Sequence, residues 1–237
     1  MSGKRIIGTW IVLLIMAVLS LQGVAAEVVV FEAYDTTFSY ADGRLTVNKE
    51  LTLKNVGDSP IIPGEIHFKI SGKDGDELYP LEVSDFAAEG KRGKVLDTRK
   101  VEADSSTELI FTIWDPLLPK FTYDMSLSYS VSFKPKGILF YNMMIPVERT
   151  TIPIKKAETT VELPKRFHVT HAPEAEVQGA GPKRSLTWDK VSEDLRLEYT
   201  PLPLPNMGVR MVNVFWVAII IVFVTIFVIR VVTAGRE

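Results

Sequence analysis

No cysteine occurs among the 237 residues, so disulfides, thiolate metal sites and cysteine nucleophiles are excluded, and any folded domain must hold together by its core alone. Histidine is scarce, with only His67, His168 and His171. The last two form a His-x-x-His pair, but on an extended segment residues three apart point to opposite faces, a poor arrangement for a metal ligand set. A Gly-x-Ser-x-Gly elbow and a His-Glu-x-x-His zinc pair are both missing, and the acidic residues scatter along turns and polar strand faces. This pattern predicts a chain that is not an enzyme and that carries no metal and no cofactor. A net charge of −2 from mixed signs gives no electrostatic reason to expect nucleic acid as a partner.

Two long apolar segments stand out. At the N-terminus Lys4 and Arg5 form a positive region, Ile6 to Leu21 an apolar stretch, and Gln22 to Ala26 a small-residue end. These features predict a signal peptide over 1–26 that is cleaved between Ala26 and Glu27, with Val24 and Ala26 in the −3 and −1 subsites. An uncleaved first membrane helix is the competing reading. The second segment, Met211 to Ile229, carries only Asn213 and Thr225 as polar side chains and continues through Arg230 to Val232. About 20 such residues cross a hydrocarbon core of about 30 Å as a helix, and a lone strand in lipid could not satisfy its backbone. A single transmembrane helix over 211–232 is therefore expected. Phe215 and Trp216 fit the outer headgroup level and Arg230 and Arg236 the other side, which places the N-terminal part outside the cell membrane and a tail of 233–237 in the cytoplasm. Asn213 is either a packing contact to a neighbouring helix or an amide solvated by headgroups.

Between these segments the chain is written in period two. Tyr123, Met125, Leu127, Tyr129, Val131 and Phe133 alternate with Thr122, Asp124, Ser126, Ser128, Ser130 and Ser132, the signature of a half-buried strand. Shorter copies occur at Leu45, Val47, Leu51 and Leu53, at Ile66, Phe68 and Ile70, at Leu109, Phe111 and Ile113, and at Leu195, Leu197 and Tyr199. Turn chemistry such as Asp42-Gly43 and Gly72 to Asp76 separates them. The expected fold is all-β, an immunoglobulin- or fibronectin-like sandwich over 27–136. A composition break at Lys134 to Gly137 opens a smaller second β unit over 137–200, close to the minimum for an independent core and so expected to lean on the first. Pro201, Pro203 and Pro205 then suggest a short extended stalk over 201–210.

Two stretches depart from the alternation. Ile138 to Ile145 is apolar on both faces, which fits either a fully buried strand or a surface for a partner or lipid, with Ile138, Phe140, Met143 and Met144 as the contacts. Trp114 to Phe121 is an apolar loop with the same two readings, and Trp114, Leu117, Leu118 and Phe121 would make the contact. The basic doublets Lys155-Lys156, Lys165-Arg166 and Lys183-Arg184 read as solvated turns or as groups approaching anionic lipid.

None of Asn48, Asn55, Asn142, Asn206 and Asn213 sits in a glycosylation sequon, and glutamine is limited to Gln22 and Gln178, which favours a prokaryotic source with a thermophile-like bias. The order Leu51 to Gly57, Ser126 to Phe133, Ile152-Pro153 and Thr160 to Pro164 resembles the ectodomains of archaeal membrane-anchored β-sandwich proteins and is distantly similar to the ribophorin I family, single-pass subunits of oligosaccharyltransferase. The resemblance implies accessory architecture. The expected function is that of a non-catalytic accessory or scaffolding subunit of a membrane complex facing outward, of the protein-export or glycosylation type, with other membrane-protein subunits as partners. The alternative is a cell-surface envelope or ligand-binding protein.

Overall fold

The computed structural model describes residues 28–178, 184–204 and 209–234, so the expected signal peptide and its Ala26/Glu27 junction lie outside the described residues. Strands β1 (Val29–Ala41) and β2 (Arg44–Asn55) form a long hairpin. Its turn is Asp42-Gly43, with φ of 49° and 80°, the paired positive values that a two-residue turn of matching twist requires. Next to β2 lies β8 (Thr122–Ser132), paired antiparallel from Lys54↔Thr122 to Arg44↔Ser132. Tyr123, Met125, Leu127, Tyr129 and Val131 are all buried, as the alternation predicts. β5 (Val83–Glu89) closes one edge of this sheet beyond β8.

The opposing sheet is built from β3 (Gly64–Asp74), β7 (Thr107–Ile113), β6 (Asp97–Glu102) and β10 (Val147–Thr150), with β4 (Glu77–Pro80) folded back on β3. The two sheets bury their apolar faces against each other. Phe68 of β3 stacks on Phe111 of β7 at 5.7 Å and meets Phe31 and Tyr34 of β1 at 5.8 and 6.0 Å. Edge and offset contacts of this kind stabilise beyond the area they bury.

The strands after residue 137 are shared among three sheets, β10 belonging to the one just described. β11 (Ala157–Leu163) runs parallel to β1, with Tyr34↔Ala157 to Ser39↔Glu162 as partners, and β14 (Arg184–Trp188) and β13 (Glu176–Gln178) extend the same sheet to seven strands. The remainder forms a small three-stranded sheet of β9 (Tyr141–Met144), β15 (Arg196–Thr200) and β12 (His168–His171). Val161, Leu163, Leu186, Leu197 and Tyr199 belong to the same core cluster as Leu45 and Phe111, so strands on either side of residue 136 bury one common core. The reason is physical: β1 offers an unpaired edge, and a stretch of this length buries too little on its own. Over the described residues the protein is thus an all-β sandwich with a smaller β unit and one apolar helix.

That helix spans Met211–Ala234. Its 21-residue stretch Met211–Val231 is long and apolar enough to cross a membrane, and none of its residues is fully buried by the rest of the protein. At 1.5 Å per residue it reaches about 32 Å, close to a bilayer's hydrocarbon thickness. Thr225 Oγ1 donates to the Ile221 carbonyl at 2.8 Å, so its hydroxyl is satisfied within the helix. Residues 205–208 of the expected stalk lie outside the described residues. The Met211 N–H donates to Glu198 Oε1 at 2.7 Å, which sets the helix start beside β15.

Candidate functional site

The two apolar stretches flagged in the sequence fall at opposite ends of the sandwich. Phe121 directly precedes β8 and Phe133 directly follows it, and 11 residues of strand separate them, about 35 Å at the usual rise. From Phe133 a line of rings leads to the Ile138 loop: Phe133 meets Tyr40 at 6.2 Å, Tyr40 meets Tyr199 at 6.3 Å, and Tyr199 stacks on Tyr141 at 5.5 Å. The end carrying Phe121 is termed distal and the end carrying Ile138 helix-proximal.

At the distal end Trp114, Leu118 and Phe121 are 66%, 48% and 62% exposed, and Ile62 joins them. Leu117 is not part of this surface. It is buried, and its backbone exchanges both hydrogen bonds with Ile61, at 2.7 and 3.1 Å. One fully buried residue, Asn55, fixes the arrangement. Its Nδ2 donates to the Ser59 and Leu117 carbonyls, both at 2.9 Å, and its Oδ1 accepts from the Gly57 N–H at 2.9 Å. Its backbone N–H donates to the Phe121 carbonyl at 3.1 Å, and its carbonyl accepts from the Lys120 N–H at 2.9 Å. Lys120 holds a positive φ of 66° to make this closure. The exposed side chains therefore project from a loop whose backbone is tied down.

At the helix-proximal end the apolar run divides. Met143 and Ile145 are fully buried in the core, Met144 is half-buried, and Ile138 and Leu139 are exposed. The buried-strand reading holds for Met143 and Ile145, while Ile138 and Leu139 face outward. Half-buried Phe140 meets Phe215 of the helix, with ring centroids 5.9 Å apart. Asn213 and Trp216 are exposed on the helix, and Trp216 packs edge-on against Phe215 at 6.3 Å.

Between the two ends lies a polar cluster that the sequence reading missed. Lys49 of β2 is fully buried and its Nζ donates to Glu148 Oε2 of β10, to Tyr34 Oη at 2.9 Å and to Thr36 Oγ1 at 3.1 Å. Tyr129 donates to Glu148 Oε1 at 2.6 Å. The three ammonium donors each find an acceptor, and the ammonium also lies 4.4 Å from the centre of the Tyr34 ring. Burial pulls the Lys49 amine below its ordinary value, against the opposing pull of Glu148. Burial, reinforced by Glu148, holds the Tyr34 and Tyr129 phenols well above theirs. The cluster is closed to solvent and bridges the two sheets, so its chemistry is that of a structural tie. Its signal was present: Lys49 sits in the inward phase of Leu45, Val47, Leu51 and Leu53, where an apolar residue is due.

His168 and His171 are both half-exposed on β12. Among the described residues no group of three or more His, Asp or Glu side chains is placed to share a metal ion.

No protein-family profile matches the chain, and no curated protein does. Among solved structures it is similar to an M1 zinc metallopeptidase from Deinococcus radiodurans, at 17% identity and a TM-score of 0.43 over 73% of this chain and 42% of that one. A mutant of that peptidase bound to a Tyr-Ser-Ala substrate gives 15% identity and a TM-score of 0.44 over the same shares. The chain spans less than half the length of these peptidases. A likeness of that degree carries no conclusion about chemistry.

Proposed function

We propose that the protein is a non-catalytic, single-pass membrane protein whose β-sandwich stands outside the cell and serves as an accessory or scaffolding subunit of a membrane complex. In this reading the leader is removed after Ala26, the C-terminus lies in the cytoplasm, and the partners are other membrane-protein subunits of an export or glycosylation type of assembly. The archaeal and ribophorin I-like resemblance is of a piece with that role. The observation that carries the proposal is the distal surface: Trp114, Leu118 and Phe121 are exposed on a loop pinned by Asn55, and aromatic anchors on a pre-organised backbone are what a protein partner uses best. The test is purification of the full chain in mild detergent beside a Trp114→Ser, Phe121→Ser variant. The expected outcome is a stoichiometric membrane-protein partner with the native chain and its loss with the variant. Recovery of the native chain as a lone monomer would sink the reading.

The separation of this surface from the helix, about 35 Å along β8, favours a second reading, a cell-surface protein that binds an external ligand or envelope polymer. Binding that persists in the chain truncated before Met211 would select it over the first.

A further inference from the structure

The Ile138 loop ends in two strongly exposed apolar side chains, Ile138 at 87% and Leu139 at 43%, beside the start of the helix. Two contacts fix its height relative to that start. The Met211 N–H is held by Glu198 Oε1, a carboxylate on β15 that is almost fully buried and also accepts from Thr170 Oγ1 at 2.8 Å. Arg210 Nε lies 3.8 Å from the other oxygen of the same group. The second contact is the pairing of Phe140 with Phe215, four residues into the helix. Four residues advance about 6 Å along a helix axis. The Met211–Val231 stretch is only as long as a bilayer's apolar core is thick, so Met211 must lie close to the hydrocarbon boundary and Phe215 beneath the headgroups. The Phe140 ring, 5.9 Å from that of Phe215, lies within that distance of its depth, and Ile138 and Leu139 precede it on the same short loop.

We infer that the loop of Ile138, Leu139 and Phe140 is a lipid-contacting foot, inserted at the boundary between headgroups and acyl chains next to the transmembrane helix. Aromatic and aliphatic side chains at this level gain from leaving water while the loop's polar backbone stays near headgroups and their water. The foot gives the sandwich an attachment to the bilayer plane besides the helix, and the Glu198–Met211 bond ties it to the helix start, so it stands at a fixed tilt. The inference rests on the helix being membrane-spanning and is independent of which side the sandwich occupies. The occupant is lipid because the loop continues an apolar surface, the helix, for which lipid is the solvent.

The absence of native cysteine makes the test direct. Single variants Ile138→Cys, Ile220→Cys and Val95→Cys of the full chain, each carrying a nitroxide, are placed alone in phosphatidylcholine nanodiscs, and relaxation by oxygen is compared with relaxation by a water-soluble nickel chelate. Ile220 marks the helix, and Val95, 76% exposed on the sandwich, marks water. The expected result is oxygen preference at Ile220 and Ile138 and nickel preference at Val95. Nickel preference at Ile138 with oxygen preference at Ile220 overturns the foot and leaves the membrane anchor standing. Nickel preference at Ile220 overturns the anchor, and the foot with it.

Discussion

The two ends of the sandwich carry apolar side chains in similar number, yet they are held in different ways. At the distal end the backbone is fastened from within by Asn55, a single residue that completes five hydrogen bonds with the loops around it, three through its side chain and two through its backbone. At the helix-proximal end the attachment comes from a separate element, through Phe215 and the Glu198–Met211 bond. A surface fixed by its own fold keeps its shape in any surroundings, whereas one fixed against an apolar helix long enough to cross a membrane depends on what surrounds that helix. Composition alone could not separate them, because both stretches read simply as exposed or buried grease.

The sharpest way to break this contrast is to loosen what lies between the ends. Lys49→Met leaves Glu148 buried without its cation, and losing one partner of a buried pair costs about 4 kcal/mol. Both ends are expected to unfold together at the lower denaturant midpoint, reported by labels on Leu118→Cys and Ile138→Cys. Adding Glu148→Gln is expected to regain about 2 kcal/mol, since the amide still accepts from Tyr129 and no charge stays buried. Separate midpoints for the two labels would show that the ends belong to independent bodies.

Asn55→Ala is the complementary cut. It removes the partners of the Leu117 and Ser59 carbonyls and the Gly57 N–H at a fully buried position, for a loss of about 3 kcal/mol. Amide exchange is expected to accelerate around Leu117 to Phe121 and to stay unchanged around Tyr141 to Met144. Equal acceleration at both places would mean that Asn55 supports the whole sandwich and not the distal loops alone.

How much of this was legible follows the physics of each feature. The β8 alternation and the C-terminal helix are local signals: the first depends on side chains taking turns across one strand, the second on unbroken apolarity over a bilayer's thickness. The parallel pairing of β1 with β11 joins residues far apart in sequence, and no local pattern announces it. Lys49 breaks its strand's pattern visibly, but its partner Glu148 lies on a four-residue strand of the other sheet, so the pair exists only once the sheets face each other. Glu198 occupies the outward phase between Leu197 and Tyr199 and is nevertheless buried, because the chain returns after Thr200 and sets the helix start over it.

The smallest expected effect concerns alkaline pH and asks again whether the two ends share one core. Tyr34 and Tyr129 keep their protons in the fold well above the ordinary phenol value of 10.0, while the unfolded chain releases them near that value. Their contribution to stability is fully present below pH 10 and is lost as pH rises above it, by about 1.4 kcal/mol per pH unit for each tyrosine. Lys49 acts in the opposite sense: its amine is lowered in the fold, so the unfolded chain binds the extra proton between that lowered value and 10.5, and stability rises with pH across that window. Above about pH 10.5 the Lys49 contribution fades, and Tyr199 and Tyr123, whose phenols burial also raises, act in the same sense as Tyr34 and Tyr129. Denaturant titrations of the detergent-solubilised chain between pH 10.5 and 11.5 are therefore expected to show a falling stability whose slope is shallower in Tyr34→Phe by about 1.4 kcal/mol per pH unit. A slope unchanged by that substitution would mean that solvent reaches the phenol in the fold, and that the cluster joining the two sheets is open where the structure closes it.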